Sequence, residues 1–205
     1  VLTESGKFGV ERAGTITIAT RGLVRFLVAK GRLTEGMEGA IPYPAKWGLA
    51  SLPRFIEADE VEKAVAACDP STPAGQRDRA IVLLFARLGL RAGEVAALCF
   101  DDIDWSGGVL GVSGKGRRHC LMPLPQDVGD ATLAYIRDTR PRVANTHLFL
   151  GHSAPHRELS VEGVAKVGAR ALRRAGVQSP SYGSHVFRHS VATTMLRGGA
   201  SLAAV

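Results

Sequence analysis

Apolar and polar positions near the end of the chain alternate with helical period. Phe187, Ser190, Val191, Thr194 and Met195 fall at i, i+3, i+4, i+7 and i+8, which predicts a helix with one buried stripe. Ser184, just ahead of the stripe, is a residue type suited to the N-cap. The same period predicts a helix over residues 15–30 through Ile16, Ala19, Thr20, Leu23, Phe26 and Leu27, ending near Gly31. Val61, Ala64, Val65 and Cys68 mark a short helix. Ile81, Leu84, Phe85 and Leu88 mark another, stopped by Gly89. Residues 90–98 read as a turn followed by a short helix. Val128, Ala131, Thr132, Tyr135 and Ile136 predict a helix over 126–138. Val161, Val164, Ala165, Gly168 and Leu172 predict a basic one over 160–175. Two runs are strand-like instead, 109–113 and 119–124, and they flank Gly114-Lys115-Gly116-Arg117 as a hairpin would. Residues 147–150 could add a short strand. The pattern as a whole predicts a mainly α protein with a small antiparallel β-sheet, of the α+β class.

Residues 36–53 contain three prolines and several glycines without any period, so they read as a linker with a boundary near residue 50. The helix ahead of them, with what precedes it, is too little to fold alone. It reads as the tail of a helical domain, giving 1–35 as that remnant, 36–53 as linker and 54–205 as the main domain. Apolar residues make up 45% of the chain, yet no apolar run approaches membrane-spanning length. The start lacks the basic-then-apolar order of a signal peptide, so a cytoplasmic location is expected. Cys68, Cys99 and Cys120 are scattered and odd in number, which predicts reduced packing cysteines rather than a disulfide framework. With 26 basic against 19 acidic residues, the net charge is +7. That balance favours a polyanionic partner, nucleic acid before membrane. The basic residues gather early (Arg12, Arg21, Arg25, Lys30, Arg32), midway (Lys115, Arg117, Arg118) and late (Lys166, Arg170, Arg173, Arg174).

The candidate chemistry lies at the start of the last helix. His185 and Arg188 stand three apart in its first turn, where backbone N–H groups are unpaired and the helix dipole is positive. An imidazole, a guanidinium and a helix N-terminus converging on one spot suit a phosphate. His185 and His189 are four apart, a spacing that can hold a metal, but no HExxH glutamate or further ligand cluster accompanies them. No metal is expected. Arg91 opens a short helix between two apolar segments, and Lys115 stands on the hairpin turn.

Three ordered elements, Arg91 in LGLRAGEVAAL, Lys115 in VSGKGRRHCLMPL and His185-x-x-Arg188 in SHVFRHSVATTML, closely resemble the catalytic domain of the tyrosine recombinases, the phage-integrase and Xer-like family. The likeness runs from about Ser51 to the last residue, and the early basic helix looks like the end of that family's core-binding domain. The resemblance implies site-specific DNA recombination or integration without cofactor, ATP or metal. A tyrosine attacks a DNA phosphodiester to leave a 3′-phosphotyrosyl link and a free 5′-hydroxyl, and a second strand's 5′-hydroxyl reverses the step. It implies that Arg91 and Arg188 clamp the non-bridging oxygens, that Lys115 protonates the leaving 5′-oxygen, and that His185 assists proton transfer or holds the phosphate. Glu94 either orients a catalytic neighbour or is simply a carboxylate favoured at a helix start. His189 is expected to be structural. Arg21, Arg25, Lys30, Arg117 and Arg118 would contact double-stranded DNA, and a complete protein would act as a tetramer in the nucleoid.

The family pattern continues with another His or Trp and then the nucleophilic tyrosine, whereas this sequence stops at Val205. Its tyrosines, Tyr43, Tyr135 and Tyr182, do not match the nucleophile position, and Tyr182 reads as a buried loop tyrosine. The expectation is therefore a domain incomplete at its C-terminus, monomeric, and unable to cleave DNA alone. The alternatives are a silent DNA-binding remnant, a subunit whose tyrosine comes in trans, and a type IB topoisomerase.

Overall fold

The computed structural model of the protein describes residues 10–43, 55–113, 119–179 and 181–201. The chain divides into two compact units, Val1–Leu52 and Pro53–Val205. In the first, helix α1 (Val10–Ala29) begins five residues before the predicted start and is followed by a single turn of 3-10 helix, Met37–Ala40. Arg21 donates to the Ile41 carbonyl at 2.7 Å and stacks on Tyr43, its guanidinium carbon 4.5 Å from the ring centre, which folds the following segment back on α1. Ala13 and Thr17 are buried. Ala19, Leu23 and Phe26 of the predicted apolar stripe are exposed, because only that short segment returns to the helix within this unit.

The second unit is built around α3 (Pro73–Leu88), which packs against α2 (Ala58–Ala66), α5 (Gln126–Ala134), α6 (Val161–Arg174) and α7 (Ser184–Arg197). Central placement explains its composition, since every residue from 80 to 85 is apolar and buried. Thr72 caps it by accepting the Gly75 N–H at 3.0 Å, Pro73 occupies the first turn, and Gly89 ends it at φ 60°, ψ 28°. That left-handed conformation is cheap for glycine alone. Between α3 and α5 come α4 (Ala92–Ala97) and a three-stranded antiparallel sheet of β1 (Ile103–Asp104), β2 (Val109–Ser113) and β3 (His119–Pro123) in sequential order. Ser113 pairs with His119 and Val109 with Pro123, so the two strand-like runs pair as the expected hairpin. Strand β1 was not foreseen. It is two residues long, too short for its alternation to show. Ile103, Leu110 and Val112 are buried on the inner face, while Leu121 on β3 is exposed. Residues 147–150 form isolated bridges, Cys99 to His147 and Leu150 to Glu158, rather than a strand. They are held by Arg140, which donates to the carbonyls of Asn145, His147 and Leu148.

Two buried contacts orient the last helices. Phe187 of α7 stacks on Phe85 of α3 with ring centres 6.1 Å apart, and both rings close over Gly168 of α6, where a Cβ would meet them at 3.3 and 3.4 Å. Arg77 and Asp78, both buried, pair at 2.6 Å. Arg77 also donates to the Leu150 carbonyl, and Arg170 of α6 reaches Asp78 at 3.2 Å. Ser190 lies in the apolar stripe of α7 as a linking hydroxyl, accepting the Ile56 N–H at 2.9 Å and donating to the Val186 carbonyl. Thr194 and Met195, predicted to be buried, are exposed, because the buried face of α7 is confined to Ser184, Val186, Phe187 and Ser190. Ser184 is the first helical residue rather than the cap. Gly183 takes the cap position with no side-chain hydrogen bond. Among the described residues no helix is long and apolar enough to cross a membrane.

The three cysteines are free but not alike. Cys68 is buried, and burial pushes its thiol up to about 11, whereas Cys120 on β3 is exposed rather than packed. Iodoacetamide at neutral pH should therefore alkylate Cys120 first and leave Cys68 untouched until the protein unfolds, as peptide mass mapping would show. Truncation of Phe187 to Ala should lower stability by about 3–5 kcal/mol, read from urea unfolding.

Candidate active site

The arginines of the site come from the two ends of one packing contact. Helix α3 stops at Gly89, Leu90 is buried, and Arg91 follows in extended conformation as the N-cap of α4. Helix α7 lies across this turn. A Cβ on Gly89 would touch the Val191 side chain at 3.6 Å and that of Arg188 at 3.7 Å. Half-buried Arg188 donates from one terminal nitrogen to the Gly89 carbonyl at 2.8 Å. Its guanidinium is thus fastened to the residue two positions before Arg91. Gly89 was legible only as a helix stop; its second role as an acceptor depends on which helix crosses it.

Arg91 is held by its own helix. Glu94 accepts the Arg91 backbone N–H at 2.7 Å and, through its other oxygen, the Arg91 guanidinium at 2.7 Å. The glutamate side chain is 11% exposed and the arginine 60% exposed. Glu94 is therefore the fixed partner, and Arg91 presents its remaining N–H groups outward. The two alternatives for Glu94 merge, since one carboxylate both caps the helix and orients the arginine.

His185 is exposed in the first turn of α7, and its imidazole folds back over Gly183. Phe187 and Val186 are turned into the core, so the helical period directs His185 outward and leaves Arg188 half-buried against the Gly89 turn. His189 is exposed as well. Lys115, Arg117 and Arg118 lie outside the described residues, on the hairpin whose strands β2 and β3 are in place. Arg21, Arg25 and Lys30 belong to the first unit. There Arg21 is engaged with Ile41 and Tyr43, while Arg25 is exposed and Lys30 lies over the Phe26 ring.

The two tyrosines of the second unit both have their hydroxyls engaged elsewhere. Tyr135 is fully buried, stacked on Phe149, and its oxygen accepts the Leu150 N–H. Tyr182 is half-buried rather than buried, with its hydroxyl donating to the Val177 carbonyl at 3.1 Å. Tyr43 lies in the first unit. Among the described residues no three His, Cys, Asp or Glu side chains converge as metal ligands. What the site offers is two guanidiniums and an imidazole beside a helix N-terminus, a set of fixed donors for the oxygens of a phosphate.

Replacing Gly89 with Ala should cost about 1–2 kcal/mol of stability, because the new side chain would be forced into the left-handed region. Replacement with Asn should cost less, and thermal unfolding of the two variants would rank them.

The sequence profile of the phage integrase family matches residues 54–205. An integrase/recombinase of Sinorhizobium fredii, y4rA, is 43% identical over 197 residues, which is 96% of this chain and 48% of the relative. Tyrosine recombinase XerD of Listeria innocua is 30% identical over 190 residues, covering 90% of this chain and 62% of the relative. The chain thus spans about half to two thirds of the length of these curated relatives. Among solved structures, the XerH site-specific recombinase in its post-cleavage complex with a palindromic difH substrate superposes with a TM-score of 0.70 at 20% identity, over 95% of this chain and 58% of that one. The profile match over the second unit, together with these relatives, establishes that the chain belongs to the phage integrase family of tyrosine recombinases.

Proposed function

We propose that this protein is part of a site-specific DNA recombinase that cuts and rejoins strands through a 3′-phosphotyrosyl link. The observation that carries the proposal is the bond from Arg188 to the Gly89 carbonyl, which brings the arginine of α7 to the turn that presents Arg91, with His185 one helical turn away. In the reaction a tyrosine oxygen bonds to phosphorus and the bond from phosphorus to the 5′-oxygen breaks. Lys115 delivers a proton to that leaving oxygen. Negative charge grows on the two non-bridging oxygens as the fifth bond forms, and Arg91 and Arg188 stabilise it as permanently charged donors already held in place. His185 serves as a further donor to the phosphate or moves the tyrosine's proton. A 5′-hydroxyl of a second strand then displaces the tyrosine, restoring a phosphodiester, so no external energy source enters the balance.

The attacking tyrosine is none of Tyr43, Tyr135 and Tyr182: the hydroxyls of Tyr135 and Tyr182 are engaged with the Leu150 N–H and the Val177 carbonyl, and Tyr43 does not match the family's nucleophile position. It comes from a further segment of the protein or from another protomer, and a tetramer on two DNA sites is the working assembly. Exposed Arg25 and Lys30 of the first unit, and Arg117 and Arg118 of the hairpin, serve the DNA backbone.

The test uses the protein extended to include a family-type tyrosine, together with nicked DNA carrying its recombination site. Covalent adduct should form, and Arg188→Ala or Arg91→Ala should slow its formation by about 10²–10³-fold. Affinity for DNA should change by less than about tenfold, because many phosphate contacts share the binding. Cleavage unaffected by either substitution would remove the phosphate clamp from the mechanism.

A further inference from the structure

The late basic cluster on α6 is not uniform once its partners are known. Lys166 is neutralised by Glu162 one turn earlier at 2.8 Å, and Arg170 reaches the buried Asp78. Arg173 is exposed and has no carboxylate partner among the described residues. Its guanidinium carbon lies 5.0 Å from the centre of the Tyr182 ring. Tyr182 is itself fixed, packed at the edge of the core and hydrogen-bonded through its hydroxyl to the Val177 carbonyl. It stands three residues before His185, on the segment that runs into α7.

Stacking uses the face of a guanidinium and leaves its N–H groups, which lie in the plane, free to donate. Arg173 is therefore a cation with a braced position, a hydrogen-bonding edge without a partner among the described residues and a place beside the segment that leads into α7. A long side chain already ordered by a ring loses less freedom on binding than a solvated one. Duplex DNA carries a charge about every 1.7 Å along its axis, so a phosphate held at Arg91 and Arg188 brings neighbouring phosphates close to the same surface. We propose that Arg173, braced by Tyr182, binds a DNA backbone phosphate next to the reacting one and so positions the strand at the site. This rests on the assignment of DNA as substrate.

The experiment is fluorescence anisotropy of this chain with a fluorescein-labelled, mixed-sequence DNA duplex across a KCl series. The proteins compared are wild type, Arg173→Ala, Tyr182→Leu, Tyr182→Phe and the double variant Arg173→Ala/Tyr182→Leu. Wild type should show a steep fall of affinity with salt. Arg173→Ala should reduce that slope by about 0.9, the signature of one lost phosphate contact. Tyr182→Leu should weaken binding about two- to fivefold, the worth of an exposed cation–π brace, and Tyr182→Phe, which keeps the ring and loses only its hydroxyl anchor, should weaken it less. In the Arg173→Ala background, Tyr182→Leu should have no further effect on binding. A tyrosine that only supports the fold would instead weaken both backgrounds equally, and that result overturns the brace. A wild-type slope in Arg173→Ala overturns the phosphate contact while leaving DNA as substrate intact. Absence of salt-dependent binding by wild type overturns both. Arg173 is exposed, so its variant should unfold at the wild-type temperature, and the slope does not depend on a fold defect.

Discussion

The wedge of Phe187 against Phe85 over Gly168 is the contact on which the site depends. Three helices meet there, and glycine suits position 168 because a Cβ at that point of α6 would sit tight against both rings, at 3.3 and 3.4 Å. A buried aromatic pair is directional, so it fixes how α7 is rolled about its axis as well as how closely it approaches. Helical periodicity converts that roll into chemistry. With Phe187 facing inward, His185 faces solvent, Arg188 falls against the Gly89 turn, and Ser190 meets the backbone of Ile56. A small rotation of α7 would break the hydrogen bond at Gly89 and move the arginine away from the turn that carries Arg91.

A site made of cations needs its charges held apart from the core and tied down individually. Glu94 does this for Arg91, from a nearly buried position that costs little side-chain freedom on the solvent side. Arg188 uses a neutral carbonyl, which holds the side chain without cancelling its charge. Deeper in the domain, Asp78 accepts from Arg77 and Arg170, joining α3 to α6 where an unpaired charge would cost several kcal/mol. The acidic groups near the basic surface thus divide into those that hold helices together and the one, Glu94, that orients Arg91.

Much of this was legible in the chain because it follows from local rules. Gly89 as a helix end, the hairpin from 109 to 123, and the first-turn placement of His185 each depend on a few adjacent residues, whereas Arg188, expected in the same turn, is the fifth residue of a helix that starts one position earlier. The features that escaped depend on partners remote in sequence. Thr194 and Met195 continue the period of α7 perfectly well, but the core stops at Ser190. Ala19, Leu23 and Phe26 form an apolar stripe on α1 with only a short segment folded back beside it. Nothing local in the sequence marks Arg77 and Asp78 as buried, and their burial is intelligible only once Arg170 and the Leu150 carbonyl arrive from elsewhere. Ser184 had the composition of a cap, yet the preceding glycine took that position.

Arg91 and Arg188, the two arginines proposed to clamp the phosphate, differ in a way that matters for how the site would work. Each spends one hydrogen bond on the protein, but Arg91 spends it on a carboxylate and Arg188 on a carbonyl. A phosphate entering the site competes with Glu94 for the charge of Arg91, so part of the attraction is offset before binding begins. Arg188 keeps its full charge and is partly desolvated, which strengthens its pull on an anion. Preorganisation favours whichever state carries more negative charge, and the transition state carries more than the bound diester. Arg188 is accordingly the better placed of the two to discriminate between those states. Arg91, tethered and more exposed, is better suited to receiving the phosphate and fixing its orientation.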